Sequence, residues 1–218
     1  MAKRNLMGRS VFTFALSVCL AINLVAAPIR VACVGDSITY GAAIQDRENN
    51  SYPAMLGRLL GAGYNVKTFG VNGATLLKKG DKPYWKEPAF AAALKFQPQL
   101  VIIKLGSNDS KPQNWKYKNE FTKDLIDLVR TFKQLRSKPQ VWICKPAPVA
   151  MDRWGITEVV VKREVIPAVV AAARRSKGVE LIDIYKVLAP HPEMFPDGVH
   201  PNAAGAKLMA AEVHRYLK

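Results

Sequence analysis

The segment Val31-Ala-Cys-Val-Gly-Asp-Ser-Ile-Thr-Tyr40 is the most informative stretch of this 218-residue chain. A run of apolar residues ends abruptly at Gly35-Asp36-Ser37, as expected where a buried strand leaves a sheet. Ser37 then presents a hydroxyl at the strand end and is a candidate nucleophile. Gly-Asp-Ser is also an ordinary turn sequence, so this interpretation depends on partners elsewhere in the chain.

Short apolar runs alternate along the chain with longer amphipathic segments. Parallel strands separated by helices require crossover connections, which place helices on both faces of the sheet. The pattern therefore predicts an α/β protein, a three-layer α/β/α sandwich around a five-stranded parallel sheet. The predicted strands span 29–34, 65–69, 100–105, 141–144 and 179–182, and the predicted helices span 52–60, 89–95, 118–135, 157–176 and 203–217.

Polar motifs follow the predicted strands. In an open parallel sheet, ligands bind beyond the carboxyl ends of the strands, so we expect the loops at those ends to converge on one site. Four loops carry such motifs: Gly35-Asp36-Ser37, Gly70-Val-Asn-Gly73, Gly106-Ser-Asn-Asp109 and Asp197-Gly-Val-His200.

A serine hydroxyl is a poor nucleophile at neutral pH and needs a base, usually a histidine oriented by a carboxylate. His200 stands three residues after Asp197, in a turn constrained by Gly198 and Pro201. This spacing lets the carboxylate fold back onto one imidazole nitrogen while the other nitrogen faces Ser37. A capped helix start is the structural alternative for the same segment.

Two other histidines follow the predicted N-terminal leader. His191 lies between prolines, where loop packing is the favoured role. His214 lies within the last predicted helix beside charged residues, on a face expected to be solvated. Neither shares a short constrained turn with a carboxylate, so His200 ranks first as the base.

Acyl transfer also requires hydrogen-bond donors directed at the developing oxyanion. The backbone N–H groups of Ser37 and Gly73 and the side-chain amide of Asn108 are candidate donors from three strand ends. Taken singly, Gly73 also fits a tight turn and Asn108 a helix cap. Their order along an alternating strand and helix pattern favours a shared oxyanion hole.

The four motifs resemble those of the SGNH hydrolases, also called GDSL-type esterases and lipases. The matching blocks are Gly35-Asp-Ser-Ile38, the glycine of Val71-Asn-Gly-Ala-Thr75, Gly106-Ser-Asn-Asp109 and Asp197-Gly-Val-His200. Isoleucine stands at position 38 where the family name has leucine, which is a conservative change. The resemblance covers essentially all of the chain after residue 27.

This resemblance implies a flavodoxin-like fold and hydrolysis of carboxylic esters through an acyl-serine intermediate. It makes Ser37 the nucleophile, His200 the base and Asp197 the carboxylate that orients the base. Ser37, Gly73 and Asn108 would form the oxyanion hole. The implied mechanism requires no metal and no other cofactor.

The segment Leu105–Trp115 further resembles exported bacterial sialate or carbohydrate O-acetylesterases of the family. This favours a small-molecule or oligosaccharide ester as the substrate, with an O-acetyl group removed. Trp85 and Trp115, together with Tyr84 and Trp154, fall in predicted loops or element ends, where aromatic rings can stack on sugars. Ordinary packing at the edge of the core is the alternative for these rings.

Lysines near the same loops offer a second recognition element. Their positive charge could attract the carboxylate of an acidic sugar, although a solvated lysine-rich loop has the same composition. The residues concerned are Lys78, Lys79, Lys82 and Lys111.

Two other functions remain open. A lysophospholipase or thioesterase of the same family would need an apolar groove for a long acyl chain. A non-catalytic glycan-binding module would keep the fold and the basic charge. Nucleic-acid binding is disfavoured because the basic residues are scattered, with no dense basic run and no aromatic RNA-binding signature.

Residues 1–27 have the pattern of a secretory signal peptide, because Lys3, Arg4 and Arg9 precede an apolar run that ends in small residues. An uncleaved anchor helix is the alternative. Cleavage would leave a single domain over 28–218, exported to the periplasm or the extracellular space, with no stable membrane anchor. The remaining 29 basic and 17 acidic side chains give a formal charge of +12.

The composition fits a globular domain, since 49% of the residues are hydrophobic and 22% are charged. Cys33 and Cys144 both lie within apolar strand-like runs. We therefore expect buried thiols, although a bridge between the two is compatible with an exported protein.

Overall fold

The computed structural model describes residues 27–217. Apart from Ala27, the predicted signal peptide lies outside the described residues. Five strands form the central sheet: β1 (Ile29–Gly35), β2 (Tyr64–Gly70), β3 (Leu100–Lys104), β4 (Gln140–Cys144) and β5 (Val179–Ile182). All neighbouring strands are parallel, and their order is β2-β1-β3-β4-β5. The predicted five-stranded parallel sheet of a flavodoxin-like fold is therefore confirmed.

Helices follow the strands in alternation. They are α1 (Ser37–Tyr40), α2 (Arg47–Asn50), α3 (Tyr52–Leu60), α4 (Pro88–Lys95), α5 (Pro112–Trp115), α6 (Lys118–Lys133), α7 (Glu158–Val160), α8 (Ile166–Arg175), α9 (Ile184–Leu188) and α10 (Ala203–Tyr216). Short 3₁₀ turns occupy Tyr84–Lys86, Asn108–Ser110 and Pro192–Met194. The long predicted helices are all present, whereas the four- and five-residue helices within the loops were not predicted.

The predicted helix over 157–176 has a wider turn in its middle. A π-helical segment, Val161–Val165, joins α7 to α8. Pro167 lies in the first turn of α8 and cannot donate a backbone hydrogen bond, while its ring crowds the carbonyl group of Arg163. A π turn directly before the proline relieves this conflict without ending the helical run.

Side chains alternate between the two faces of the sheet and build two separate cores. Ala32 and Val34 of β1 face the layer of α4, α6 and α8, whereas Val31 and Cys33 face the layer of α3 and α10. Because β3 is covered on both faces, its apolar run is nearly continuous. This arrangement is the predicted three-layer α/β/α sandwich.

Both cysteines belong to the core on the α3 and α10 side and are free thiols. Burial raises the pKa of Cys33 to about 12 and raises that of Cys144 as well. The prediction of buried thiols is therefore confirmed. Within residues 27–217, no helix has both the length and the apolar character needed to cross a bilayer.

Candidate active site

The site lies where the direction of the chain connections reverses. In the order β2-β1-β3-β4-β5, the chain leaves β1 toward one side of the sheet and leaves β3 toward the other. The loops after these adjacent strands diverge, which opens a crevice at their carboxyl ends. Gly35 pairs in register with Lys104, so both loops begin at the same height.

The loop after β1 passes directly into the short helix α1, which starts at Ser37. The Asp36 side chain is fully buried and caps this helix, because its Oδ1 accepts a hydrogen bond from the Ile38 N–H at 3.0 Å. The tight turn leaves Ser37 half-buried at the rim of the crevice.

A chain of hydrogen bonds joins the predicted serine, histidine and aspartate. His200 Nε2 lies 2.8 Å from Ser37 Oγ, and His200 Nδ1 lies 2.8 Å from Asp197 Oδ2. The other carboxylate oxygen of Asp197 accepts the backbone N–H groups of Val199 at 2.9 Å and His200 at 2.7 Å. The structure thus brings together three residues that are separated by up to 163 positions in sequence.

The same contacts keep Asp197 ionised. Partial burial raises the pKa of the carboxyl. Hydrogen bonds from the N–H groups of His200 and Val199, together with the contact to the imidazole, outweigh this effect, so the pKa is lowered overall. An ionised Asp197 fixes the tautomer of His200 that carries a hydrogen on Nδ1, which leaves Nε2 free to accept the Ser37 proton.

One cavity of about 300 Å³ is lined by all three predicted oxyanion donors, Ser37, Gly73 and Asn108. His200 lines the same cavity. Gly73 has φ +77°, a left-handed conformation that favours glycine. Within residues 27–217, the backbone N–H groups of Ser37 and Gly73 donate to no protein acceptor. The buried Asn108 amide donates one hydrogen to the Ala74 carbonyl at 3.1 Å, which leaves its second hydrogen available.

Asp109 supports the loop that carries Gly73. Its two carboxylate oxygens accept the N–H groups of Leu77 at 2.7 Å and Leu76 at 3.0 Å, and the side chain is fully buried. Burial raises the pKa of Asp109 to about 7, although the backbone hydrogen bonds act in the opposite direction. The sequence indicated that Asp109 belongs to a motif but did not predict this supporting contact.

Trp85 and Trp115, which the sequence analysis predicted to bind substrate, do not line this cavity. The Trp85 indole donates to the Leu76 carbonyl at 2.8 Å, and the Trp115 indole donates to Glu164 at 2.8 Å. Both rings pack against the core on the α6 side, because large apolar faces gain more from burial there than at a loop surface. Tyr84 is fully buried as well.

Trp154 is the tryptophan that does line the cavity. Its side chain is 53% exposed, and its ring centroid lies 5.6 Å from that of His200. The residue has φ +52°, a backbone conformation that is costly for a side chain of this size. The sequence offered Trp154 as one of four aromatic candidates and gave no means of ranking it first.

The four lysines that the sequence analysis named near these loops make different contacts. Lys78 forms ion pairs with Asp124 and Asp127 of α6, and Lys79 pairs with Glu120 of the same helix. Their charges are therefore matched by protein carboxylates and do not face the cavity, which corrects the expectation for these two residues. Lys82 donates to the Asn72 carbonyl, and Lys111 lines the cavity.

The other two histidines, His191 and His214, do not line the cavity. His191 Nδ1 contacts the exposed Glu193 at 3.1 Å, and His214 lies in the last turn of α10. In the described part of the chain, no group of three or more His, Cys, Asp or Glu side chains could hold a metal ion.

A serine, histidine and aspartate linked in this way, at the carboxyl edge of a flavodoxin-like sheet, place the chain in the class of SGNH hydrolases that its four motifs resemble. The particular family follows from a direct match. Residues 33–208 match the model of the GDSL-like Lipase/Acylhydrolase family, and the chain belongs to that family. The predicted family is therefore confirmed.

One curated relative is close in sequence. An acetylxylan esterase from Xylanibacter ruminicola is 41% identical over 208 residues, which are 87% of this chain and 43% of that protein. The chain thus spans less than half the length of this curated relative.

Solved structures share the fold. An inhibitor-bound aryl esterase from M. smegmatis superposes with a TM-score of 0.71 at 20% identity, covering 87% of this chain and 98% of that one. A carbohydrate acetylesterase from Sinorhizobium meliloti gives a TM-score of 0.70 at 21% identity, with the same coverage of 87% and 98%. At such identities the likeness concerns the fold, which agrees with the strand order described above.

Proposed function

We propose that this chain is a serine esterase that removes O-acetyl groups from carbohydrates through an acyl-serine intermediate. The observation that carries the proposal is the 2.8 Å contact of His200 with Ser37, together with the 2.8 Å contact of His200 with Asp197. Membership of the GDSL-like family and the similarity to an acetylxylan esterase support the reaction class and the type of substrate.

In the first half of the reaction, His200 Nε2 removes the Ser37 proton as Oγ attacks the ester carbonyl carbon. The carbonyl oxygen becomes an oxyanion that accepts hydrogen bonds from the N–H groups of Ser37 and Gly73 and from the free amide hydrogen of Asn108. The imidazolium, stabilised by Asp197, then gives its proton to the leaving sugar oxygen, and the acyl group stays on Ser37.

In the second half, water replaces the sugar alcohol. His200 removes a proton from this water as its oxygen attacks the acyl carbon, and the same donors hold the second oxyanion. His200 then returns the proton to Ser37 Oγ as the acyl–oxygen bond breaks. The products are one carboxylic acid and the regenerated serine.

The size of the cavity supports a short acyl group. A volume of about 300 Å³ is at the lower end of ligand pockets, and the sugar must share this space with the acyl group. Ala42, Ile156 and Trp154 supply the apolar part of the lining. An acetyl methyl group needs only a small apolar wall, whereas a fatty acyl chain needs a long groove.

The sugar itself is the finer part of the proposal. Acetylated xylan fragments are the first candidates because of the acetylxylan esterase relative. Sialic acids are the second candidates, since Lys111 at the cavity could pair with their carboxylate. Acetate release from acetylated xylan fragments, O-acetylated sialic acids and simple acetyl sugars compares them directly.

Ser37→Ala tests the reaction, with p-nitrophenyl acetate as the substrate. We expect kcat to fall by a factor of about 10⁴ or more, because no other group replaces the nucleophile. Ser137→Ala is the matched control, because its hydroxyl forms no hydrogen bond with a described residue and it lies in the turn before β4, at the opposite edge of the sheet. Unchanged hydrolysis by Ser37→Ala would contradict the proposal, because Ser37 would then not be the nucleophile. No ester hydrolysis by the parent protein would favour a non-catalytic binding module.

A chain-length series separates the proposal from a lysophospholipase or thioesterase. We expect kcat/KM on p-nitrophenyl esters to fall at least about tenfold from acetate to octanoate, because the cavity lacks room for the longer chain. Activity that rises toward octanoate would favour the lipid-directed alternative.

Export is a separate proposal that rests on residues 1–27. We propose that this segment directs secretion and is removed after Ala26 or Ala27. Expression of the full chain with N-terminal sequencing of the secreted product tests this. A mature protein that begins at Ala27 or Pro28 is the expected result, and a product that retains Met1 in the membrane fraction would contradict it.

A further inference from the structure

Lys104 is a fully buried lysine at the end of β3, inside an otherwise apolar strand. Its Nζ lies 3.1 Å and 2.9 Å from the two carboxylate oxygens of Asp36, which is also fully buried. The same Nζ donates to Ser107 Oγ at 2.8 Å. Three hydrogen bonds therefore satisfy the ammonium group completely.

The two partners of Lys104 are the immediate neighbours of two site residues. Asp36 precedes Ser37, the proposed nucleophile, and Ser107 precedes Asn108, the proposed oxyanion donor. Lys104 therefore connects the loop after β1 to the loop after β3 underneath the cavity. No other side chain among the described residues hydrogen-bonds to both Asp36 and Ser107.

Stability alone is a poor explanation for this ion pair. Removing two charges from water costs several kcal/mol per ion, and apolar side chains of similar volume often replace a buried pair without loss of stability. An apolar residue at position 104 would also suit β3, whose other residues are apolar. The pair is better explained by what it aligns.

We propose that Lys104 is a positioning residue that fixes the Asn108 amide relative to Ser37. The inference rests on the proposed function, because it assigns a task only if Ser37 attacks and Asn108 stabilises the oxyanion. A hydrogen-bond donor stabilises an oxyanion fully only when it is held within about 0.5 Å of its productive position. Loss of Lys104 should therefore lower kcat and leave KM nearly unchanged, since the oxyanion exists only after attack.

The test removes both charges of the buried pair together, with the parent protein as the reference. The variant combines Lys104→Met with Asp36→Asn, so that neither a buried ammonium nor a buried carboxylate is left unpaired. The asparagine oxygen still caps α1, so the change removes the link to Ser107 and keeps the start of the helix. We expect kcat on p-nitrophenyl acetate to fall about 10- to 100-fold relative to the reference, with KM changed less than about threefold.

A double-mutant cycle with Asn108→Ala distinguishes positioning from a general structural role. If Lys104 acts by placing the Asn108 amide, the same double substitution should cost less than about threefold in kcat once that amide is absent. An equal loss in both backgrounds, a loss seen mainly in KM, or an unchanged kcat would each overturn the inference.

Two further variants keep the test decisive. Ser107→Ala removes one of the two links without disturbing the ion pair, so it serves if the double substitution does not fold. We expect a loss of about three- to tenfold in kcat, again absent in the Asn108→Ala background. Glu212→Gln in α10 changes a buried acidic side chain away from the cavity and should leave kcat unaffected.

The failure of this inference is distinguishable from failure of the proposed function. Full activity of both Ser37→Ala and Asn108→Ala would overturn the esterase mechanism itself. Large losses in those two variants, with unchanged kcat in the Lys104 variants, would overturn only the positioning role.

Discussion

At the scale of single residues, the site depends on what each polar group contacts. Asp197 uses one carboxylate oxygen for two backbone N–H groups and the other for the imidazole of His200. The turn is therefore held by the same side chain that orients the imidazole of His200, the proposed base. This double use explains why the short spacing between Asp197 and His200 is sufficient, without help from a more distant carboxylate.

Asp197→Asn tests the second of these uses. The amide can still accept the backbone hydrogen bonds, but it removes the negative charge that stabilises the imidazolium and favours the wrong tautomer of His200. We expect kcat to fall by a factor of about 10³ to 10⁴, with a small change in KM, measured on p-nitrophenyl acetate. Asp46→Asn, an exposed position at the start of α2, is the control. A loss below tenfold in Asp197→Asn would contradict the assigned role.

The burial of Lys104 and its contact with Asp36 could not be predicted from the sequence. A single lysine in an apolar run gives no sign of being buried, since lysines at strand ends are usually solvated. Only the register of β1 and β3 shows that Asp36 lies within reach of Lys104. The positions of Trp85 and Trp115 away from the cavity could not be predicted for a related reason, because sequence position does not specify the direction of a loop side chain.

At the scale of elements, the loop that carries Trp154 docks on the turn that carries Asp197 and His200. The N–H groups of Ala150 and Met151 both donate to the Gly198 carbonyl, at 2.8 Å and 3.2 Å. Arg153 donates to the Asp197 carbonyl at 3.3 Å and lies over the Trp154 ring at 4.7 Å. The two loops therefore support each other.

Gly198→Ala tests this docking. Gly198 has φ +87°, and an added Cβ would lie 2.6 Å from the Met151 carbonyl oxygen. Gly178→Ala is the control, because Gly178 has φ +65° and an added Cβ would make only an ordinary contact, 3.6 Å from Lys133 Nζ. We expect Gly198→Ala to lower the free energy of unfolding by about 1–3 kcal/mol more than Gly178→Ala and also to lower kcat. Urea unfolding measures the first effect, and equal losses in both variants would contradict the docking.

The elements that the sequence predicted best are those with a strong apolar pattern. The five strands and the long helices were predicted to within a few residues, because burial on both faces of the sheet makes their runs unambiguous. The short helices α1, α2 and α5 were missed, since four-residue turns are stabilised by local caps and by tertiary packing. The four site loops were predicted because each directly follows a strand or precedes a helix.

At the scale of the whole molecule, the stability of the fold should depend on pH through Asp109. Burial raises the pKa of this carboxyl from its ordinary value of 3.8 to about 7, so the folded state binds a proton more tightly than the unfolded chain. Stability from this group is therefore greatest at low pH and decreases as pH rises from about 4 to 7. The pKa of Asp197 is lowered, so its effect on stability has the opposite sign. Its contribution to the free energy of unfolding is present at neutral pH and is lost only at more acidic pH.

Urea unfolding at pH 5, 6, 7 and 8 tests this dependence. We expect the free energy of unfolding to decrease by about 2–4 kcal/mol over this range, and the decrease to be largely absent in Asp109→Asn. The same slope in the variant and the parent protein would show that other groups control the pH dependence.

The measurement that tests the central claim most directly is covalent labelling of the nucleophile. An alkyl fluorophosphonate forms a stable adduct with an activated serine, and peptide mapping by mass spectrometry locates the adduct. We expect one adduct per chain, on Ser37, with loss of esterase activity in proportion to labelling and no adduct in Ser37→Ala. An adduct on a different residue, or complete labelling of Ser37 that leaves esterase activity intact, would contradict the account.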